Sequence, residues 1–458
     1  MSTGARGRQI VLVIMLFALQ VFLAFHIRLR AWPETLVPAY LVSRGWTLYR
    51  EVKFIHTPLW IGIEALVSAI FGISALTLRA LALAPALACH LALWHAGKRL
   101  GWTLPARVGA SLFFLGSFYL WDGNAVYPDV AIAALTIPVY LGLRKGTPRG
   151  AAVAGFLLGA GIAIKQPAAM ALLLAAIWVT AVHRLLLPRF LAFAALPWAL
   201  CAAVFALLGA ERDFLIWTAV VPFHDYRGRT NLPINPAQLP IVLLGFLCLA
   251  VFLFLSLPDR DRSRSSAPAL LTLLTLGLST MAFPKFELVH LIPAVPLLAI
   301  AAGSAFHWAG RSAGVTRLAA AIPAAVIALD FCFLATDTST GEISFWDSAL
   351  DDAIVRRLSA LPPAPLYLYG PDQNLFIRSG RLPPGRLYSN PDLWYHFRAE
   401  GFERNQIESL RDHPEAIVLK TSGGAAKGDA GLALAAWIAE DYKPESGWPS
   451  GVERVIPK

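Results

Sequence analysis

Cysteine and charge are both scarce in this chain. Its 458 residues include four cysteines, Cys89, Cys201, Cys248 and Cys332. All four sit inside apolar stretches with no Cys-x-x-Cys spacing, which excludes a disulfide framework, a zinc ribbon and a dithiol redox centre. Charged residues make up 15% of the chain against 57% hydrophobic, far more apolar surface than a water-soluble fold of this length needs. No GxxxxGK[ST] loop is present to cradle a nucleotide phosphate, so direct use of ATP has no support. No convincing internal repeat is visible either, which argues against a transporter built from inverted halves. After the apolar run that starts at Ile10, behind Arg6 and Arg8, no small-x-small cleavage site follows, and the run reads as a retained first span and not a signal peptide.

What the chain has in abundance is long apolar runs separated by short basic loops, followed by a polar tail. Eleven runs read as spanning helices: residues 10–27, 76–96, 106–121, 130–143, 151–164, 168–182, 190–208, 239–257, 267–283, 289–308 and 317–335. A twelfth, 58–74, is assigned to the membrane interface on the basis of charge. With the N-terminus inside and this run not crossing, the loops bearing Lys98, Arg99 and Arg107, then Arg144, Lys145 and Arg149, then Arg184 and Arg189, then Arg260, Arg262 and Arg264, and finally Arg311 and Arg317 all face the cytoplasm. If the run crossed, every one of them would move outside. The net charge of +10 is therefore topological, and nucleic acid is not a partner. The expected architecture is an α-helical polytopic membrane domain, residues 1–338, with about eleven transmembrane helices and interfacial helices in the first outer loop, followed by a small extracytoplasmic α/β domain, 339–458. In the tail, PLYLYG, EAIVLK and VERVIP read as strands, with helices near Leu375 and over 431–439. The localisation that follows is a multi-pass protein of the inner (plasma) membrane, with its N-terminus cytoplasmic and its C-terminal domain periplasmic or extracellular.

The same topology gathers unusual polar residues on the outer face, where ionisable groups beside the bilayer are costly and call for a reason. Glu34 opens a helix-like stretch, PETLVPAYLVS, whose N-terminal dipole favours a carboxylate. Asp129 stands in NAVYPDV just before an apolar run, where it could serve simply as a cap. Lys165 sits between GFLLGAGIAI and QPAAM and either snorkels or faces an anionic lipid phosphate. The loop FHDYRGRT brings His224, Asp225, Arg227 and Arg229 close together in sequence, and Lys285, Glu287 and His290 form a very short outer loop. Glu51 and His56 complete the set. Such carboxylates and cations could deprotonate a hydroxyl and neutralise a departing phosphate. A divalent metal is conceivable on Glu, Asp and His, but no spacing is diagnostic. GFLLG, with Gly155 and Gly159, is a helix-contact signal.

The order of the motifs PETLVPAYLVSRGWTLYRE, HTPLW, FGISALTLRALAL, YPD, GFLLGAGIAIKQPAAM, KFELVHLIPAVPLLAIAAG and LYLYGPDQNLFIRSGRLPPGRLY resembles the GT-C fold lipid-dependent glycosyltransferases. The resemblance is strongest to bacterial relatives of the protein O-mannosyltransferases and the lipid A aminoarabinose transferases, and it covers nearly the whole chain. It implies a sugar donor carried on polyprenyl phosphate and an acceptor that is a glycan, a lipid or a protein. It also implies a base in the first outer loop, at Glu34 or at Glu51 in LYRE, an assisting carboxylate at Asp129, and a donor-phosphate cation at Lys165; Arg227, Arg229 and Lys285, placed on the outer side by the topology, are added as further phosphate-binding candidates. His56, His224 and Asp225 are further candidates. His56 and Thr57 stand where aminoarabinose transferases have Glu-Lys, so that substrate is not carried over. The rival reading is a transporter or flippase of lipid-linked sugars.

Overall fold

The computed structural model describes residues 3–224, 239–256, 262–283, 287–310, 315–336, 341–344, 346, 348–370, 372–389, 401–421 and 432–458. The candidates Asp225, Arg227, Arg229 and Lys285 lie outside the described residues, and the side chain of His224 is not among those described. In chain order the helices are α1 Thr3–His26, α2 Pro33–Ser43, α3 Leu59–Phe71, α4 Ala75–Arg99, α5 Leu104–Leu120, α6 Pro128–Arg144, α7 Pro148–Ile164, α8 Ala169–His183 and α9 Leu187–Leu207. They continue as α10 Glu211–Leu215, α11 Val221–His224, α12 Leu239–Ser256, α13 Arg262–Ser279, α14 Val295–Ala309, α15 Val315–Ala335, α16 Ala349–Ser359 and α17 Leu375–Ser379, with two more at Phe402–Asp412 and Leu432–Asp441.

Helices cover each of the eleven apolar runs. Among the described residues, four stretches are long and apolar enough to cross a bilayer: Gln9–His26, Ala75–Arg99, the continuous Gln166–Leu207 and Leu288–Ala309. Shorter apolar helices, α3 among them, accompany these, and the protein is a multi-pass membrane protein. The chain forms two compact units.

The first unit comprises Met1–Arg30, Leu78–Leu200 and Asn231–Glu342. Its centre is α14, which with the 3-10 turn Leu288–Ala294 before it is buried along its whole apolar window. α5, α12, α15 and α6 pack around it. Proline sets several helix starts: Pro105, Pro128 and Pro148 occupy the first turns of α5, α6 and α7 behind an extended residue, where a missing N–H costs nothing. Thr147 adds a side-chain cap, accepting from Gly150 N at 3.1 Å. Gly155 and Gly159 put one face of α7 directly against the α9 backbone: a Cβ on either would stand 2.2 Å from Phe190 O or 2.1 Å from Ala194 O. A narrow apolar cleft lies between α6, α7, α13 and α14, lined by Ile132, Thr136, Leu158, Gly161, Leu278 and Leu297 among others.

The second unit comprises Ala31–Thr77, Cys201–Thr230 and Ile343–Lys458. α2 packs on α3 and buries Thr35 through Leu41. The chain after it turns at Gly45, whose φ of 83° suits glycine. Of the strands in this unit, β1 Val52–Lys53 pairs parallel with β3 Tyr388–Ser389. A four-stranded sheet is built from β2 Leu366–Tyr369, β4 Ile417–Thr421, β5 Tyr442–Glu445 and β6 Val452–Pro457 in the order β2-β4-β6-β5. β2 and β4 run parallel and the β4–β6 and β5–β6 pairs antiparallel. Its core is Tyr367, Tyr369, Val418, Leu434, Ile438 and Val455. β5, which the sequence pattern does not mark as a strand, contains Pro444 and lies at an edge, the position that tolerates a missing donor.

Candidate active site

In the first unit, two sequence candidates meet. Asp129 sits in the first turn of α6 and is fully buried, and Lys165 ends α7, where it is 3% exposed. The ammonium therefore does not snorkel outward. It donates to Asp129 Oδ2 at 2.7 Å and approaches His290 Nδ1 at 3.0 Å and the Tyr127 ring centroid at 4.9 Å. His290 comes from the 3-10 turn before α14, with Nδ1 3.3 Å from Asp129 Oδ1 and Nε2 3.8 Å from Glu287 Oε2. The Nδ1 of His290 thus faces both the Lys165 ammonium and Asp129 Oδ1, while Nε2 faces the Glu287 carboxylate. The result is a buried cation held from three sides by a carboxylate, an imidazole and an aromatic face. A buried ion pair of this kind is costly to desolvate and persists only with its hydrogen bonds made. One turn from this cluster, Ile132 on α6 and Gly161 on α7 line the apolar cleft.

The second unit carries the first-loop acids. Glu34 is in the first turn of α2, behind Trp32 and Pro33, with its side chain 27% exposed. Its Oε1 lies 3.7 Å from His56 Nε2. His56 is oriented by its backbone, whose carbonyl accepts from Tyr49 Oη at 2.8 Å, and its ring meets Phe54 edge-on. The neighbouring Thr35 donates to the buried carboxyl of Glu64 at 3.3 Å. Glu51 is more heavily committed. Arg386 donates to its Oε1 at 2.6 Å and to Oε2 at 3.1 Å, and Thr47 N donates to Oε2 at 2.6 Å. The hydrogen bond from Arg386 leads the influences that hold the Glu51 carboxyl below the usual glutamate range. Lys53 is spent locally, donating to Tyr49 O at 3.0 Å and Arg50 O at 2.8 Å, and burial lowers its ammonium from the usual lysine value.

The structure thus pairs Asp129 with Lys165, Glu34 with His56, and Glu51 with Arg386. Two participants are not singled out by the sequence. His290 is visible there only as one more outer-side polar residue, and Arg386 only as part of a tail motif, because its partner is 335 residues away. Among the described residues, no cluster of three His, Cys, Asp or Glu side chains could hold a metal ion.

No protein-family profile and no curated protein matches the chain. Solved structures do match it. ArnT from Cupriavidus metallidurans, in a crystal structure bound to undecaprenyl phosphate, aligns over 97% of this chain and 97% of its own, with a TM-score of 0.61 at 12% identity. The arabinofuranosyltransferase AftD from Mycobacteria aligns over 97% of this chain and 41% of its own, with a TM-score of 0.54 at 15% identity. The Archaeoglobus fulgidus oligosaccharyltransferase covers 89% of this chain and 69% of its own, with a TM-score of 0.51 at 10% identity. The chain has the GT-C fold. Three glycosyltransferases that share so little sequence with it share this arrangement of helices, and the GT-C fold frames the chemistry that the two residue groups can support.

Proposed function

We propose that this chain is a membrane glycosyltransferase that takes a sugar from a polyprenyl-phosphate donor and transfers it to an acceptor on the outer face of the membrane. The observation that carries the reading is the buried Lys165 ammonium beside Asp129 and His290, in a fold shared with an ArnT structure bound to undecaprenyl phosphate. A lipid-linked donor suits an outer-face site, where nucleotide sugars are absent, and its isoprenoid tail can enter between helices. In this reading residues 1–338 are the transferase domain, and 339–458 an extracytoplasmic α/β domain. The acceptor is a glycan, a lipid or a protein.

The chemistry assigned to the residues is a single displacement. Glu34 takes the proton of the acceptor hydroxyl as the oxygen forms its bond to the anomeric carbon, and the bond from that carbon to the phosphate oxygen breaks. The electron pair leaves with the polyprenyl phosphate, whose charge Lys165 neutralises, with Arg227, Arg229 and Lys285 as further donors. Attack opposite the phosphate inverts the anomeric centre. His56, 3.7 Å from Glu34, steadies the base. Asp129 pairs with Lys165 and fixes its position. The engagement of both Glu51 oxygens favours Glu34 over Glu51 as the base.

The test is transfer from radiolabelled polyprenyl-phosphate sugars to a crude envelope extract by the protein purified in lipid, with Glu34→Gln, Glu51→Gln and Asp129→Asn alongside wild type. Sugar transfer that is lost in Glu34→Gln with folding intact supports the reading. Donor binding with no transfer by wild type sinks it in favour of a lipid-linked-sugar transporter.

A further inference from the structure

The eleven residues of α2 are fewer than a helix needs to be stable alone in water. Its apolar body is buried on α3, which fixes the face it presents. Apolar packing is non-directional, however, and leaves sliding along the helix axis weakly opposed. Directional bonds at the two ends would settle that position, and both are present. Two residues before the helix, the Ala31 carbonyl accepts from Asn374 Nδ2 at 3.2 Å. Two residues after it, the Gly45 carbonyl accepts from Arg386 Nη2 at 2.9 Å. The donors stand 343 and 341 residues further along the chain.

Each donor is itself held. Asn374 is buried, and its backbone N–H donates to Asp372 Oδ1 at 2.8 Å at the start of α17. Arg386 is forked onto Glu51, lies with its guanidinium 5.6 Å from the Trp46 ring centroid, and is followed by the β1–β3 pairing of Val52 with Tyr388. Its backbone takes a left-handed φ of 51°, a conformation unfavourable for any residue with a side chain and sustained here by the surrounding contacts.

We infer that the C-terminal segment braces the helix that carries Glu34 at both ends, and that Asn374 and Arg386 are positioning residues for the acceptor-activating carboxylate. The inference rests on the reading of Glu34 as the base. It assigns the segment after residue 343 a part in catalysis that involves no contact with the sugar. Since a displacement of about 1 Å in a reacting group can cost roughly 100-fold in rate, losing either end of the brace should be felt in turnover and not in donor binding.

The experiment compares wild type with Asn374→Ala, Asn374→Asp, Arg386→Ala and Arg386→Lys in lipid. It measures kcat and donor KM for transfer and, separately, amide hydrogen exchange over 33–45. The expected result for both alanine variants is a kcat lower by about 10- to 100-fold, a donor KM within twofold of wild type, and faster exchange confined to 33–45. Arg386→Lys, which keeps the charge facing Glu51 but not the planar fork, should fall between Arg386→Ala and wild type, while Asn374→Asp, which removes the donor but keeps the shape, should resemble Asn374→Ala. Unchanged kcat and exchange in both alanine variants overturns the brace, as does a loss spread equally over kcat, KM and exchange throughout the chain. Exchange is read without activity, so a wild-type protein that transfers no sugar defeats the glycosyltransferase reading and leaves the exchange result to decide whether the brace exists.

Discussion

At the residue scale, the Asp129–Lys165 pair makes the sharpest demand. Both groups are out of water, so removing one leaves an uncompensated buried charge, a loss of about 3–5 kcal/mol. Lys165→Met should therefore lower the unfolding temperature sharply, whereas Asp129→Asn combined with Lys165→Met should regain much of that stability without regaining affinity for undecaprenyl phosphate. Thermal unfolding in lipid with and without that phosphate checks both halves. Glu34→Gln should cost transfer about 100-fold or more as a lost general base, and Glu51→Gln less, because its oxygens already serve Arg386 and Thr47. Asp372 makes a prediction about pH. Burial pushes its carboxyl up to about 7, so between roughly pH 4 and 7 the folded protein binds the proton that the unfolded chain has released. Its contribution to stability is then greatest below the unfolded value and is lost as pH rises toward 7. Asp372→Asn, which keeps an acceptor for Asn374 N–H, should flatten that part of the curve of unfolding temperature against pH.

At the scale of elements, the glycines of α7 show why a small-xxx-small signal is legible in a sequence. Gly155 and Gly159 lie one turn apart on one face, and that face meets the backbone of α9 with no room for a methyl group. Gly159→Ala should force the helices apart and destabilise the protein by about 1–3 kcal/mol, measurable as a lower unfolding temperature, while Gly161→Ala, whose Cβ would make ordinary contact with Ala168 Cβ, should be close to neutral. The helical spacing in PETLVPAYLVS likewise foretells α2, because Pro33 in the first turn and Gly45 beyond the end are punctuation that acts locally. α16 and the helix Phe402–Asp412 are not among the helices expected in the tail, although each divides into an apolar and a polar face at helical spacing.

At the scale of the whole molecule, charge bias predicts orientation. A reporter that is active only outside the cytoplasm should be active when fused after Lys458 and inactive when fused in the loop of Lys145 to Arg149; the reverse pattern would mean that 58–74 crosses the membrane. Hydropathy and loop charge are properties of consecutive residues, and so the sequence alone determined that the chain is a helical membrane protein, where its apolar helices lie, and three of the four strands of the tail sheet, Tyr442–Glu445 being the one it did not mark. Its motif order also pointed to the GT-C fold, which the ArnT structure shares across 97% of the chain despite 12% identity. The sequence named Glu34, Asp129 and Lys165 because a charge beside a long apolar run is conspicuous wherever it occurs. It had no means of showing that Lys165 is held by Asp129 and His290, that Glu51 is gripped by Arg386, or that Ala31 and Gly45 are held by donors more than three hundred residues away. Those pairings depend on which helix ends and turns the packed chain brings within hydrogen-bonding distance of one another, and at such sequence separations local pattern carries no information. Only the tertiary structure decided them.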